Sequence, residues 1–152
     1  VHHFTIKNFK DLSIEELYEI LQLRANVFII EQNCIYHDID GLDTACFHLF
    51  ARDHDVQKII AYARLVPQNL KFDVPSIGRV ITDINYRNIG LGKALMNRAI
   101  VETCKLFETN KIKISAQTYL FNFYNSFGFE PISERYDEDG IEHVDMLLND
   151  IR

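Results

Sequence analysis

The sequence predicts a mixed α/β (α+β) sandwich, a central mixed sheet covered by helices on both faces. Three observations lead there. Hydrophobic periodicity gives the element order β-α-loop-β-β-β-α-β-α-β-β. A glycine-rich turn joins a β-branched strand to a helix start between Ile77 and Leu95. The last two strands flank an Asp-Gly turn, a strong local signal for a hairpin. The chain has 152 residues, 47% of them hydrophobic and 25% charged, which suits one domain over 1–152 with a core that needs no staples.

A strand is expected over 3–9, where Phe4 and Ile6 alternate with polar neighbours. Ser13-Ile14-Glu15-Glu16 has capping-box spacing, so the Ser13 hydroxyl can accept from the N3 amide while Glu16 reaches back. Leu17, Ile20, Leu21, Arg24, Val27 and Phe28 recur at helical spacing, predicting an amphipathic helix to about residue 30. Periodicity is then lost over 31–44, a polar stretch long enough to suggest a binding loop. Strands follow over 46–51 and 58–66, joined by a turn at Asp53-His54-Asp55-Val56. The connection 67–75 leads into a buried strand over 77–82, rich in β-branched residues. The next helix starts at Leu91 and carries Leu95, Ala99, Leu106 and Phe107 on its apolar side. A strand over 111–115 and a short helix over 119–127 come next, the helix closed by Gly128 in a left-handed cap. Strands over 130–136 and 144–148 pair around Asp137-Glu138-Asp139-Gly140.

Composition limits the function classes. Cys34, Cys46 and Cys104 form no Cys-x-x-Cys pair, pointing to buried thiols in a reducing compartment. No apolar run approaches ~18 residues and no signal-peptide pattern opens the sequence, so a cytoplasmic protein with no membrane partner is expected. A net charge of −6 argues against nucleic acid and mildly favours cationic substrates. Two acidic loops, Asp38/Asp40/Asp43 and Asp137/Glu138/Asp139, point the same way, although aspartate also suits turns. Neither has calcium-loop spacing, so no metal is expected. Arg24 and Arg79, basic residues in apolar elements, either order these loops through buried ion pairs or contact an acidic group on the substrate, and the structural role is the one expected.

The stretch Arg87-Asn88-Ile89-Gly90-Leu91-Gly92-Lys93 is an anion cradle by its chemistry. Amides of a first helical turn lack intrahelical partners, and the helix dipole adds positive charge there. The spacing is wrong for a Walker A loop, and no Ser or Thr follows Lys93. Leu95 stands where a dinucleotide fingerprint needs its third glycine. What remains, Arg-x-x-Gly-x-Gly, resembles the pyrophosphate loop of the GNAT family of acyl-CoA N-acyltransferases. Tyr124-Asn125-Ser126-Phe127-Gly128-Phe129 resembles a second GNAT segment, in which the tyrosine faces the cofactor sulfur. The element order matches that fold over nearly the whole chain. Leu23-Arg24-Ala25-Asn26-Val27-Phe28, Glu31-Gln32, 36–43, Ile77-Gly78-Arg79-Val80, Ala116-Gln117 and 136–143 are similar to the ElaA-like branch of uncharacterised bacterial acetyltransferases.

The resemblance implies a mostly antiparallel sheet, splayed at the cofactor site, and an acetyl-CoA-dependent N-acetyltransferase without a metal. Acyl transfer to an amine needs a neutral amine, a stabilised oxyanion and a protonated leaving thiolate. By resemblance the Val80 amide bonds the thioester carbonyl, and Val80, Ile81 and Thr82 run beside the pantetheine arm. Amides around Arg87, Asn88, Gly90, Leu91, Gly92 and Lys93 hold the pyrophosphate, and Gln117 stands where many members use asparagine on the pantetheine. Tyr124 is the expected general acid, since a phenol of ordinary pKa ~10 is protonated at neutral pH. The general base is left open among Glu31, Asp40, Asp43, His48, Glu138, Asp139 and His143. The acceptor is a small-molecule or peptide amine, and a homodimer is left open. No cysteine occupies a nucleophile position, so direct transfer is expected. An acyl-homoserine-lactone synthase, which shares an early Leu-Arg-x-x-Val-Phe run, and a non-catalytic CoA-binding module are the alternatives.

Overall fold

In the computed structural model, which describes residues 2–152, eight strands form one sheet. In chain order the elements are β1 (Phe4–Asn8), α1 (Ile14–Arg24), a π-helical segment (Ala25–Glu31), β2 (Phe47–Arg52), β3 (Ile59–Val66) and β4 (Ser76–Thr82). Then come α2 (Leu91–Phe107), β5 (Ile112–Gln117), α3 (Phe121–Asn125), β6 (Glu130–Pro131), β7 (Tyr136–Glu138) and β8 (Ile141–Leu148). The strand order is β1-β2-β3-β4-β5-β8-β6, with β7 also on β8. Every pairing is antiparallel except β4 with β5.

Local chemistry accounts for the element ends. Ser13 Oγ accepts from the Glu16 amide at 3.0 Å and Glu16 Oε1 accepts from the Ser13 amide at 2.8 Å, completing the capping box. Asp139 (φ 53) and Gly140 (φ 82) form the two-residue turn between β7 and β8, with both φ positive as a tight hairpin turn requires. Gly128 (φ 100) ends the turn after α3, its amide donating to Asn125 O at 2.9 Å.

Both faces of the sheet are covered. Leu91, Leu95, Met96 and Ala99 of α2 pack with Leu49, Ala63, Leu65, Ile77 and Ile114 on one face. Ile20 and Leu23 of α1, with Val27, pack on the other against Phe50, Tyr62 and Ile81. β3 is buried along its whole length, as a central strand covered twice must be.

Three expectations need correction. The helix expected to residue 30 leaves α-geometry at Ala25 and continues as the π-helical segment. A widened turn keeps one face apolar, so the residue pattern alone does not reveal it. Leu106 is not on the buried side of α2; it is exposed, and Phe107 packs on Phe47 instead, with ring centroids 5.9 Å apart. The strand expected over 130–136 divides into β6 and β7, and its hairpin partner begins at Ile141.

Candidate active site

The site begins where β4 parts from β5. Their parallel register is limited to Ser76 opposite Lys113, so Gly78–Thr82 has no partner on that side. On the other side the register with β3 shifts between Tyr62 and Arg64, leaving Arg79 and Val80 unmatched. Arg79 takes up the irregularity with φ 51, a conformation costly for a non-glycine residue and common at functional bulges. The separation opens a cleft of about 570 Å³ that runs from Gly90 and Gly92 past Val80 and Tyr124 to Glu138 and His143.

At one end the cleft meets the start of α2. Gly90 is the N-cap with φ 80 and offers no side-chain cap; Ala94 donates to its carbonyl at 3.1 Å. The amides of the first turn therefore lack an intrahelical acceptor and have the dipole's positive end behind them. A Cβ at Gly92 would meet only Phe123 at 3.8 Å and Thr82 at 4.0 Å, so the protein's own packing does not demand glycine there. The space left by its missing side chain belongs to the cleft. Arg87 lies beside it, donating to both Glu31 oxygens at 2.6 and 2.9 Å and to Thr82 O at 3.0 Å. Val80, Ile81, Thr82, Arg87, Asn88, Gly90, Leu91, Gly92, Lys93, Gln117 and Tyr124 all border this one cleft. Gln117 exchanges amide hydrogen bonds with Gln32, both at 3.2 Å.

Tyr124 is buried in a cage of aromatic edges from Phe123 and Phe129, at centroid distances of 5.2 and 6.2 Å. Burial pushes its phenol well above the ordinary tyrosine value. His143 also borders the cleft. Its Nδ1 donates to Ile141 O at 2.7 Å, which leaves Nε2 to take a proton 3.4 Å from Glu138 Oε2. Its ring lies nearly parallel to Tyr136, with centroids 6.0 Å apart. The Tyr136 hydroxyl donates to Asp145 Oδ1 at 2.7 Å and is bonded to Ser115 Oγ. Burial and then the Asp145 bond push that phenol up to about 12.

His48 does not reach the cleft. It is 1% exposed, with Nδ1 2.6 Å from the Tyr62 hydroxyl and Nε2 2.9 Å from Asp43 O. Burial lowers its pKa and keeps it neutral. Asp40 and Asp43 are also absent from the cleft wall, because arginines hold them. Arg24 Nε lies 2.9 Å from Asp38 Oδ2 and its Nη1 2.6 Å from Asp43 Oδ1. Arg64 reaches Asp40 Oδ2 at 2.8 Å and Asp43 Oδ1 at 3.0 Å, and Arg79 Nε lies 2.9 Å from Asp38 Oδ1. That last contact is close but misaligned, so it counts as charge proximity and not as a hydrogen bond. The first acidic loop is thus ordered and charge-compensated, and it does not offer its carboxylates to a cationic amine. Sequence reasoning anticipated Arg24 and Arg79 but missed Arg64, whose signal was a lone arginine inside the otherwise apolar Ile59–Val66. It also missed Lys71, Ser115 and Cys34 on the cleft wall.

Comparison with known proteins fits this geometry. Residues 10–149 match the acetyltransferase (GNAT) domain family. A UPF0039 protein of Synechocystis is 41% identical over 142 residues, covering 93% of this chain and 92% of that protein. ElaA of Escherichia coli is 41% identical over 137 residues, 90% of this chain and 89% of ElaA. The ElaA crystal structure aligns with a TM-score of 0.90 at 35% identity, over 98% of this chain and 100% of the other. An acyl-CoA N-acyltransferase from Pseudomonas aeruginosa aligns with a TM-score of 0.87 at 36% identity, over 97% and 99% of the two chains. A splayed mixed sheet and a glycine-led helix, found in a chain this similar to ElaA over nearly its full length, place it in the GNAT acetyltransferase family, in the ElaA-like branch.

Proposed function

We propose that the chain transfers an acetyl group from acetyl-CoA directly to an amine, with both substrates held in the one cleft. The observation that carries this reading is continuity: the anion cradle at Gly90 and Gly92 opens into the same cleft as Val80, Tyr124 and His143. The residues fit the co-substrate at each point. Unbonded first-turn amides and Arg87 suit a diphosphate, and Gly92 leaves room that no side chain of the protein fills. The unmatched backbone of Val80 suits an extended arm lying alongside β4 like an added strand.

Bound acetyl-CoA supplies the thioester carbonyl that the amine attacks and the thiolate that leaves. The Val80 amide donates to the carbonyl oxygen as charge gathers there. Tyr124 gives its hydroxyl proton to the departing sulfur, and the raised phenol pKa means that the hydroxyl is protonated at neutral pH. His143 Nε2 takes the proton of the attacking amine, forming an ion pair with Glu138 as it does so. Cys34 is the cysteine bordering the cleft among the described residues, and its thiol donates to Asp139 O at 3.3 Å. A thiol held as a donor is a poor nucleophile, which supports direct transfer over an acyl-enzyme.

The test is a CoA-release screen over a panel of amines, run on wild type and Tyr124→Phe together, with acetyl-CoA binding measured by calorimetry. Binding by both proteins, with turnover by wild type alone, is expected. Wild type that binds no acetyl-CoA, or Tyr124→Phe that turns over at the full rate, removes the reading.

A further inference from the structure

The charges at the acceptor end of the cleft say which amines fit. The Asp38, Asp40 and Asp43 carboxylates are taken up by Arg24, Arg64 and Arg79, so that group brings no net charge. At the cofactor end Arg87 is paired with Glu31, and Lys93 belongs to the first turn of the anion cradle. Among the other charged residues lining the cleft, this leaves Lys71, Glu138, Asp139 and His143. Lys71 has no carboxylate within 4.0 Å and no side-chain hydrogen bond among the described residues. Its ammonium stands 5.4 Å from the centre of the Phe72 ring.

Lys71 keeps an accessible side chain, yet its surroundings withdraw enough water to lower its pKa, with Glu138 as the largest opposing charge. Lys71 lines the same cleft as Glu138, Asp139 and His143. A positive and a negative group therefore face one cavity without touching each other. We propose that the acceptor is an amine that also bears a carboxylate, its carboxylate held by Lys71 and its amine presented to His143 and Glu138. This specifies the acceptor of the acetyl transfer proposed above and rests on that reading. It replaces the cationic amine expected from the acidic loops, because one of those loops is neutralised and the other is faced by a free lysine.

Lys71 lies in the connection that leads into β4, ahead of Ser76, the first residue of that strand. Val80, where the thioester carbonyl is held in the proposed reaction, lies further along the strand, just past the irregularity at Arg79. The panel below spans a range of spacings between the two charged ends of the acceptor.

The experiment compares matched pairs, with acetyl-CoA saturating: α-amino acids, ω-amino acids and dipeptides, each against its decarboxylated or amidated counterpart. Wild type is expected to prefer the carboxylate-bearing member of a pair. Lys71→Met is expected to lose about 10- to 100-fold in kcat/KM on that member, the range for a hydrogen bond to a charged group, and to keep its rate on the member without a carboxylate. Lys71→Glu is expected to shift the preference towards amines without a carboxylate. Calorimetry with acetyl-CoA alone should give the same affinity for all three proteins. Equal turnover within pairs, equal loss on both members in Lys71→Met, or no turnover of the panel by protein that binds acetyl-CoA overturns the proposal. Failure of wild type to bind acetyl-CoA is a different result, and it overturns the acetyl-transfer reading beneath it.

Discussion

At Tyr124 the burial that raises the phenol pKa also decides how the residue behaves with pH. A raised value means that the protonated form persists to higher pH than in an exposed tyrosine, whose value is ~10. Turnover should therefore show no loss traceable to Tyr124 up to about pH 10, which a kcat profile of wild type checks. Tyr124→Phe should lower kcat by about 100-fold, the lower end for a general acid, with acetyl-CoA affinity unchanged. His143→Gln should lower kcat by a similar factor of about 100 and likewise spare acetyl-CoA binding, since Nε2 serves the amine and not the co-substrate. Steady-state kinetics beside calorimetry separates these effects from a general loss of fold.

Two contacts tie the end of the π-helical segment and the residue after it across the cleft: Glu31 to Arg87 and Gln32 to Gln117. A diphosphate at the cradle competes with Glu31 for the Arg87 guanidinium. Glu31→Gln removes the competing charge, so acetyl-CoA should bind about two- to five-fold more tightly, the scale of a partly exposed ion pair. Calorimetry reads this directly, and weaker binding would mean that Glu31 orients Arg87 for the ligand. Elements governed by neighbours in sequence were legible from the residues alone. The Ser13–Glu16 box, the Asp139-Gly140 turn and the glycine-led start of α2 each need only a few adjacent residues. The π-helical segment was not legible, because Val27 and Phe28 suit an α-helical stripe equally well. The place of His48 was also hidden, since its partners Tyr62 and Asp43 O are supplied by other parts of the fold.

Across the whole molecule, Arg24 of α1, Arg64 of β3 and Arg79 of β4 meet on one acidic loop. Three separate elements are joined there, and through-space pairing of this kind leaves little trace in a linear pattern. Its signature is acid sensitivity. Burial works to raise the Asp43 carboxyl, but the Arg24 hydrogen bond and charge, and then those of Arg64, outweigh it and lower the pKa. At Asp40 burial is likewise outweighed, by the Arg64 hydrogen bond and the Leu42 amide, and that carboxyl is lowered as well. A carboxyl lowered in the folded state contributes stability above its unfolded value, ~3.9, and loses it as pH falls through the folded value. His48, lowered by burial, adds an earlier loss that begins as pH falls through its unfolded value of ~6.5. Urea midpoints should therefore decline gently below about pH 6.5 and steeply below about pH 4. Asp43→Asn should cost about 3–5 kcal/mol at pH 7, because Arg24 and Arg64 lose a shared buried partner. Its further loss below about pH 4 should be shallower than that of wild type, since one of the lowered carboxyls is gone. Parallel acid limbs for the two proteins would show that the arginine cluster does not set the acid response.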